Sequence, residues 1–241
     1  MMEPSQVEIP LLKDLTIENI TENVHRINSG CPDPRLRYIL ERLITHLHDF
    51  ARETRLSTNE WMTGINFLTE VGQICSDVRQ EFILLSDILG LSLLIDSIDH
   101  PKPKASTEGT VLGPFHTHDA HEEPSGSLIH HDPKGEPCLV LCTLKDTKGN
   151  PIEGCRIDVW EADSSGKYDV QYADRKEPDG RAVLMSDNEG YFWFKCIVPV
   201  SYPIPHDGPV GKLLKRLRRH PFRPSHVHFM FEKKGFDHLI T

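Results

Sequence analysis

The sequence predicts an α+β protein, with an all-α N-terminal unit over residues 1–103 and a β-sandwich domain over residues 104–241. Three observations carry this reading. Apolar residues recur at helical spacing as far as Ile98. His100-Pro101-Lys102-Pro103 then ends the pattern, because proline lacks the amide a helix uses and restricts the residue before it. Beyond Pro103, Gly, Pro and Asp become frequent and the periodicity falls to two.

The helical unit is built from four segments. Ile17, Ile20, Val24 and Ile27 mark the first. Leu36, Ile39, Leu40, Leu43, Ile44, Leu47 and Phe50 form one continuous stripe along the second. Ser57 and Glu60 have the spacing of a capping box and open the third, which runs through Trp61, Ile65, Phe67 and Leu68. A fourth is expected from about Val78 to Ile98, through Phe82, Leu85, Ile88, Leu89 and Leu93. Such stripes cover a core or a dimer surface.

In the second domain, residues 138–145 read as a strand, followed by turn chemistry from Asp146 to Pro151. Ile157–Trp160 is the next strand, and Asp187-Asn188-Glu189-Gly190 turns into another over Tyr191–Val198. Short strands separated by turns are the pattern of a sandwich or barrel. The last strand begins at Asp237 and stops at Thr241. A strand this short makes a poor sheet edge, so the domain is expected to be truncated there.

Composition narrows the function classes. Hydrophobic residues are 38% and charged residues 26% of the 241, an ordinary globular balance. No apolar run reaches membrane-spanning length. Met1–Ser5 lacks a basic stretch ahead of an apolar core, so no secretory signal is read. The net charge of -9 disfavours a nucleic-acid partner. The basic cluster Lys212, Lys215, Arg216, Arg218 and Arg219 reads as a solvated helix face. The six cysteines, with no C-x-x-C among them, read as reduced thiols in a cytoplasmic protein, several of them in the core.

The chemistry centres on Arg223-Pro-Ser-His226-Val-His228-Phe-Met-Phe231. Read as a strand, this run puts His226 and His228 on one face, with Met230 behind them. Two adjacent imidazoles are costly to desolvate unless a metal uses them. Glu232 would complete a cupin-like H-x-H-x-x-x-E, but His220 and Leu239 stand where that motif carries glycines. Tyrosines are the other ligand source. Tyr168 follows Gly166-Lys167, and Tyr202 precedes Pro203-Ile204-Pro205. A phenol with a pKa of about 10 binds metal well only as phenolate, which requires a hard, highly charged cation such as Fe(III). Two phenolates and a hydroxide would neutralise it. The residues alone leave both tyrosines open as ordinary turn packing. They equally leave the histidines of the 116–131 loop (His116, His118, His121, His130 and His131) as solvated.

Longer blocks carry a resemblance. Leu141–Leu144, Gly149–Gly154, Ile157–Trp160 and Gly166-Lys167-Tyr168 resemble, in order, the signature of the intradiol ring-cleaving dioxygenases. Thr143 departs from it, standing where the family usually has glycine. Ser106–Phe115, Asp207–Val210 and Arg223–Phe229 match further blocks, and Glu81–Asp87 matches in the helical part. Tyr168–Asp174 and Tyr202–Pro205 look most like the hydroxyquinol 1,2-dioxygenases, with the catechol 1,2-dioxygenases next.

The resemblance implies one non-haem Fe(III) per subunit, held by Tyr168, Tyr202, His226 and His228. Tyr202 would be the ligand displaced by substrate, and so a base as well as a ligand. Arg223 would lie beside the substrate ring and stabilise developing negative charge. Leu84, Asp87, Val111, Leu112, Gly113, Pro114, Phe115, Ile204 and Pro205 would line the substrate pocket, with Asp87 accepting a hydrogen bond from a third hydroxyl. The implied reaction is O2-dependent cleavage of hydroxyquinol (1,2,4-trihydroxybenzene) between its adjacent hydroxylated carbons, giving 3-hydroxy-cis,cis-muconate, the enol form of maleylacetate. Catechol, giving cis,cis-muconate, is the alternative substrate. A truncated, non-catalytic copy serving as a dimerising or binding module is the competing class. The implied partners are the aromatic substrate, O2, a second copy of the chain through the helical unit, and an amphipathic lipid between protomers.

Overall fold

The computed structural model describes residues 14–76 and 79–241. It divides into two compact units, one up to Phe67 and one from Leu68.

The first unit is helical. Helix α1 spans Ile20–Asn28 and α2 spans Pro34–Thr54. Asp33 caps α2 by accepting from the amides of Arg35 and Leu36, and Pro34 sits where a missing amide costs nothing. Arg55, in the left-handed region at φ 50°, ends it. Polar contacts join the two helices: Thr21 Oγ1 lies 2.9 Å from His48 Nδ1, and Arg52 Nη2 donates to the Ile17 carbonyl at 2.8 Å. Among the described residues, most of the predicted stripe on α2 is left uncovered. Leu36, Ile39, Leu43, Leu47 and Phe50 are all exposed. Helix α3, Thr58–Ile74, opens with the expected capping box: Ser57 N and Oγ donate to Glu60 Oε2, and Glu60 N donates back to Ser57 Oγ.

The expected fourth helix is two helices. Helix α4 covers Glu81–Ile88 and α5 covers Leu91–Asp99. Gly90, at φ +75°, breaks the run between them. The expected start at Val78 lies outside the described residues, as does Met1–Ser5.

Eight strands follow: β1 Pro137–Thr143, β2 Arg156–Trp160, β3 Arg181–Met185, β4 Tyr191–Ile197, β5 Tyr202–Pro203, β6 Phe222–Arg223, β7 His228–Glu232 and β8 Leu239–Ile240. Helix α6, Pro209–Arg216, lies between β5 and β6 and presents Lys212, Lys215 and Arg216 of the basic cluster, with Lys212 exposed and paired to Glu70 at 3.1 Å; Arg218 and Arg219 lie past its end, Arg219 donating to the Ile88 carbonyl at 2.9 Å. The largest sheet is antiparallel in the order β3-β2-β7-β8, and β1 pairs with β4. The two sheets face each other across a core of Ile157, Val159, Ala182, Leu184, Phe192, Phe194, Cys155 and Cys196, joined by Val140, Phe229 and Phe231. Phe194 and Ile157 are fully buried. Burying each such side chain is worth roughly 1.5–3 kcal/mol. Strand β3 was not among the predicted strands. Among the described residues no helix is long and apolar enough to cross a membrane.

Strand alternation sets where chemistry can occur. On β2, Ile157 and Val159 enter the core, so Asp158 and Trp160 point to the sheet's other face. On β7, Phe229 and Phe231 enter the core, so His228 and Met230 share that other face.

Candidate active site

The second buried cluster forms on this outer face. Trp160, Ala162, Tyr168 and Tyr202 are its centre, and Phe115, Val170, Met230 and Ile240 pack against it. His228 lies opposite Trp160 in the β2–β7 register, and their rings stack at 4.7 Å and 5°. The sheet thus holds His228 by both its ladder and its face.

His226 departs from the expected strand. The run 223–231 is broken: Arg223 ends β6, His228 begins β7, and His226 lies in the irregular segment between them. Pro224 is the cause, since it offers no ladder donor. His226 and His228 still converge. The Pro224 carbonyl accepts from His226 Nδ1 at 2.6 Å, so that nitrogen carries the proton and Nε2 keeps its lone pair. His226 Nε2 then stands 3.1 Å from His228 Nε2.

Tyr168 comes in on a tight turn. Asp163 Oδ1 accepts from the amides of Ser165 and Lys167. Tyr168 N donates to Gln171 Oε1 at 2.8 Å. Gly166 has φ +79°, and a Cβ there would stand 2.7 Å from Tyr202 Cβ. Glycine therefore lets the turn approach β5. Tyr168 Oη donates to Tyr202 Oη at 3.3 Å, and both tyrosines are buried. Tyr202 and His226 have ring centroids 5.4 Å apart, and Tyr168 and His228 6.4 Å. Two phenols and two imidazoles from three chain segments thus share one small volume.

The electrostatics favour a cation at this point. Burial, reinforced by the charges of His226 and Arg223, pushes His228 down to about 3. It is neutral at neutral pH, with an electron pair to give. Burial also drives the Tyr168 phenol well above its ordinary range, with Tyr202 adding to the effect. The Tyr168 phenol does not ionise unaided in such a place, so a strong Lewis acid must supply the driving force. His228 Nδ1 is buried without a hydrogen-bond partner among the described residues, an orphaned polar atom of the kind that marks a functional site. The residues present fit a ferric ion.

Arg223 sits opposite Tyr202 in the β5–β6 pair, so it belongs to a strand separate from that of His228. Phe115 stacks on Tyr168 at 4.6 Å. Gly113, at φ +76°, brings the backbone against the His228 ring, where a Cβ would stand 3.8 Å from Cε1. Ile204 is fastened to Pro221 by a 3.0 Å backbone bond. Leu84 and Asp87 are carried on α4, which Glu81 ties to the start of α6 through a 3.1 Å bond from Val210 N. Val111, Leu112, Pro114 and Pro205 are partly or largely exposed in the 111–115 and 204–206 segments. Glu232, the cupin-type ligand, is exposed and lies 3.6 Å from Arg156, at the opposite end of β7 from His228.

Three groups escaped the sequence reading. Arg181 is almost fully buried, binds Asp169 and donates to the Phe115 carbonyl at 3.1 Å and to Thr117 Oγ1 at 2.8 Å. It ties the residue after Tyr168 to the ring that covers Tyr168. His116 is not solvated as expected. Its side chain is 4% exposed and meets Trp160 edge-on at 4.8 Å. His130 is likewise buried beside Asp179, whereas His121 and His131 are exposed as expected.

A helical unit ahead of a two-sheet domain, with phenols and imidazoles gathered on one sheet's outer face, is the layout of a dioxygenase. Two family descriptions match, "Catechol dioxygenase N terminus" over residues 33–107 and "Dioxygenase" over residues 111–241. The intradiol ring-cleavage dioxygenase hqdA of Aspergillus niger is 74% identical over 240 residues, covering 100% of this chain and 73% of that protein. A hydroxyquinol 1,2-dioxygenase of Rhizobium sp. is 48% identical over 226 residues, 93% of this chain and 76% of its own length. The structure of hydroxyquinol 1,2-dioxygenase from Pseudomonas putida DLL-E4 superposes with a TM-score of 0.89 at 41% identity, covering 93% of this chain and 79% of that one. Wild-type catechol 1,2-dioxygenase of Acinetobacter radioresistens gives 0.76 at 28%, covering 94% and 76%. Within the dioxygenases, the chain belongs to the intradiol ring-cleavage family.

Proposed function

We propose that the protein cleaves hydroxyquinol with O2 between its adjacent hydroxylated carbons, giving 3-hydroxy-cis,cis-muconate, the enol form of maleylacetate. The convergence of the Tyr168 and Tyr202 hydroxyls at 3.3 Å with the two Nε2 atoms at 3.1 Å carries this reading. These four side chains would hold one Fe(III). When bound, that ion supplies the Lewis acidity that ionises phenols and withdraws electron density from a bound diol.

The chain's own residues do the rest. Tyr202, on a two-residue strand, would serve both as a ligand and as the base that accepts a substrate proton at Oη. His226 and His228 stay neutral and hold position. Arg223 places positive charge where the ring becomes anionic. Phe115 and Gly113 shape the wall beside Tyr168 and His228. Leu84, Val111, Leu112, Pro114, Ile204 and Pro205 complete the pocket. Asp87 accepts from the third hydroxyl, which catechol lacks. That distinction sets the preference for hydroxyquinol over catechol.

In the same reading, residues 1–103 are the dimerisation unit and 104–241 the catalytic domain. The exposed α2 stripe supports a homodimer, with an amphipathic lipid as a further occupant of that face. The proposed compartment is the cytoplasm.

The test is oxygen uptake with hydroxyquinol and with catechol, alongside iron content and the visible tyrosinate-to-iron absorption. Tyr168→Phe and His226→Ala are expected to lose iron, colour and activity together. A variant that stays coloured and active sinks the ligand assignment. A colourless, iron-free wild-type protein from iron-replete medium would favour a non-catalytic copy.

A further inference from the structure

We propose a second metal site, apart from the tyrosine–histidine cluster, in which Asp96, His100 and His238 hold a divalent cation of the zinc class. Asp96 and His100 are four residues apart at the end of α5, so they project from the same helix face. His238 immediately precedes β8. One ligand atom from each residue lies within 4.8 Å of the other two. Zinc takes such ligands at about 2.0–2.2 Å, so a contraction on the order of 1 Å would close the shell. The two imidazoles already have centroids 4.0 Å apart at 62°.

The surroundings resemble those of a built site. His100 Nδ1 is 3.0 Å from Asp237 Oδ1, which fixes that nitrogen as the proton donor and leaves Nε2 for a metal. A carboxylate behind a ligating imidazole orients it and raises its basicity. Asp99 Oδ2 is 3.6 Å from His100 Nε2 but is largely exposed and stays outside the three-ligand group. Lys102 Nζ is the opposing charge. It binds Asp237 at 3.2 Å and the His238 carbonyl at 2.7 Å. Asp237 offsets it, so a dication would face the Asp96 carboxylate. Two imidazoles with carboxylates suit zinc, cobalt or nickel, whereas magnesium and calcium prefer oxygen throughout.

The placement gives the site a role. Strand β8 pairs with β7, the strand that carries His228. A cation shared by α5 and the residue before β8 would pin that hairpin to the helix and steady the strand behind the active site.

Equilibrium dialysis of the purified protein against Zn2+ near neutral pH, with zinc and iron both counted per chain, tests this. The expected result is one zinc per chain with the iron content unchanged. His238→Ala and Asp96→Asn should each weaken zinc binding at least tenfold. Zinc should raise the melting temperature of the wild type and of neither variant. No zinc retained by the wild type, equal zinc in wild type and both variants, or zinc gained only as iron is lost would each overturn the proposal.

Discussion

Tyr202 and Arg223 are direct partners across the β5–β6 pair. Ser201 Oγ donates to the Arg223 carbonyl at 2.6 Å and locks the pair from the side. The phenol and the guanidinium are therefore delivered to the site as one unit. Burial raises the Tyr168 phenol and lowers both histidines; the Arg223 charge opposes the first shift in part and adds to the second. Arg223→Ala is expected to keep its iron and lose about 10²–10³ in kcat, the cost of one preorganised charge donor. Arg223→Lys should recover only part of this, lacking the planar fork. Steady-state oxygen uptake with parallel metal analysis checks both. Iron lost in step with activity would make Arg223 a support for the ligands instead.

Arg181 predicts a stability effect. It is 2% exposed, against 7% for its partner Asp169. Arg175 also binds Asp169, at 2.8 Å, but is itself shared with Asp119. Arg181→Met would leave Asp169 half-paired in a buried place and free the Phe115 carbonyl and Thr117. A loss of about 3–5 kcal/mol is expected, read from urea unfolding midpoints. A loss under about 1 kcal/mol would show that Arg175 suffices to hold Asp169.

These two arginines mark what the sequence could reveal. Helical stripes and turn chemistry gave the helical unit, the Ser57–Glu60 box and strands β1, β2 and β4, since each is a local pattern. His226 and His228 were legible as a pair, but their route together was not. Pro224 breaks the strand, and a 2.6 Å bond to its carbonyl does what alternation was expected to do. The break at Gly90 was hidden by apolar residues on both sides. Arg181 opens an ordinary strand with no motif, and its burial depends on Asp169, Phe115 and Thr117 arriving from distant segments. His116 resembled its loop neighbours until Trp160 covered it. Non-local packing has no signature in a local window.

Asp87 predicts a change in specificity. It is half-buried on α4, the helix that Glu81 fastens to α6. Asp87→Ala is expected to lower kcat/KM for hydroxyquinol by about 10–100-fold, the loss of one charged hydrogen bond worth about 1.5–3 kcal/mol. Catechol should be nearly unaffected. Paired oxygen-uptake assays decide it, and equal losses on both substrates remove Asp87 from the recognition of the third hydroxyl.

Glu161 predicts a pH dependence of stability. Its side chain is buried. Oε1 accepts from Ile197 N at 3.3 Å, and Oε2 has no partner among the described residues. Burial raises its pKa from 4.5 to about 7; His130 lowers it, and Asp179 adds a smaller upward push. The folded state therefore binds this proton more tightly than the unfolded chain. The resulting stabilisation is fully present below about pH 4.5 and falls as pH rises to about 7. One pKa unit is about 1.4 kcal/mol, so the fall is on the order of 2–3 kcal/mol. Glu161→Gln keeps the volume and the acceptor for Ile197 while removing the titration. Urea unfolding midpoints taken from pH 5 to 8 should show the wild type losing stability relative to the variant across that range. Parallel profiles would mean that Glu161 stays ionised when folded, with His130 and the Ile197 amide sufficient to hold the charge.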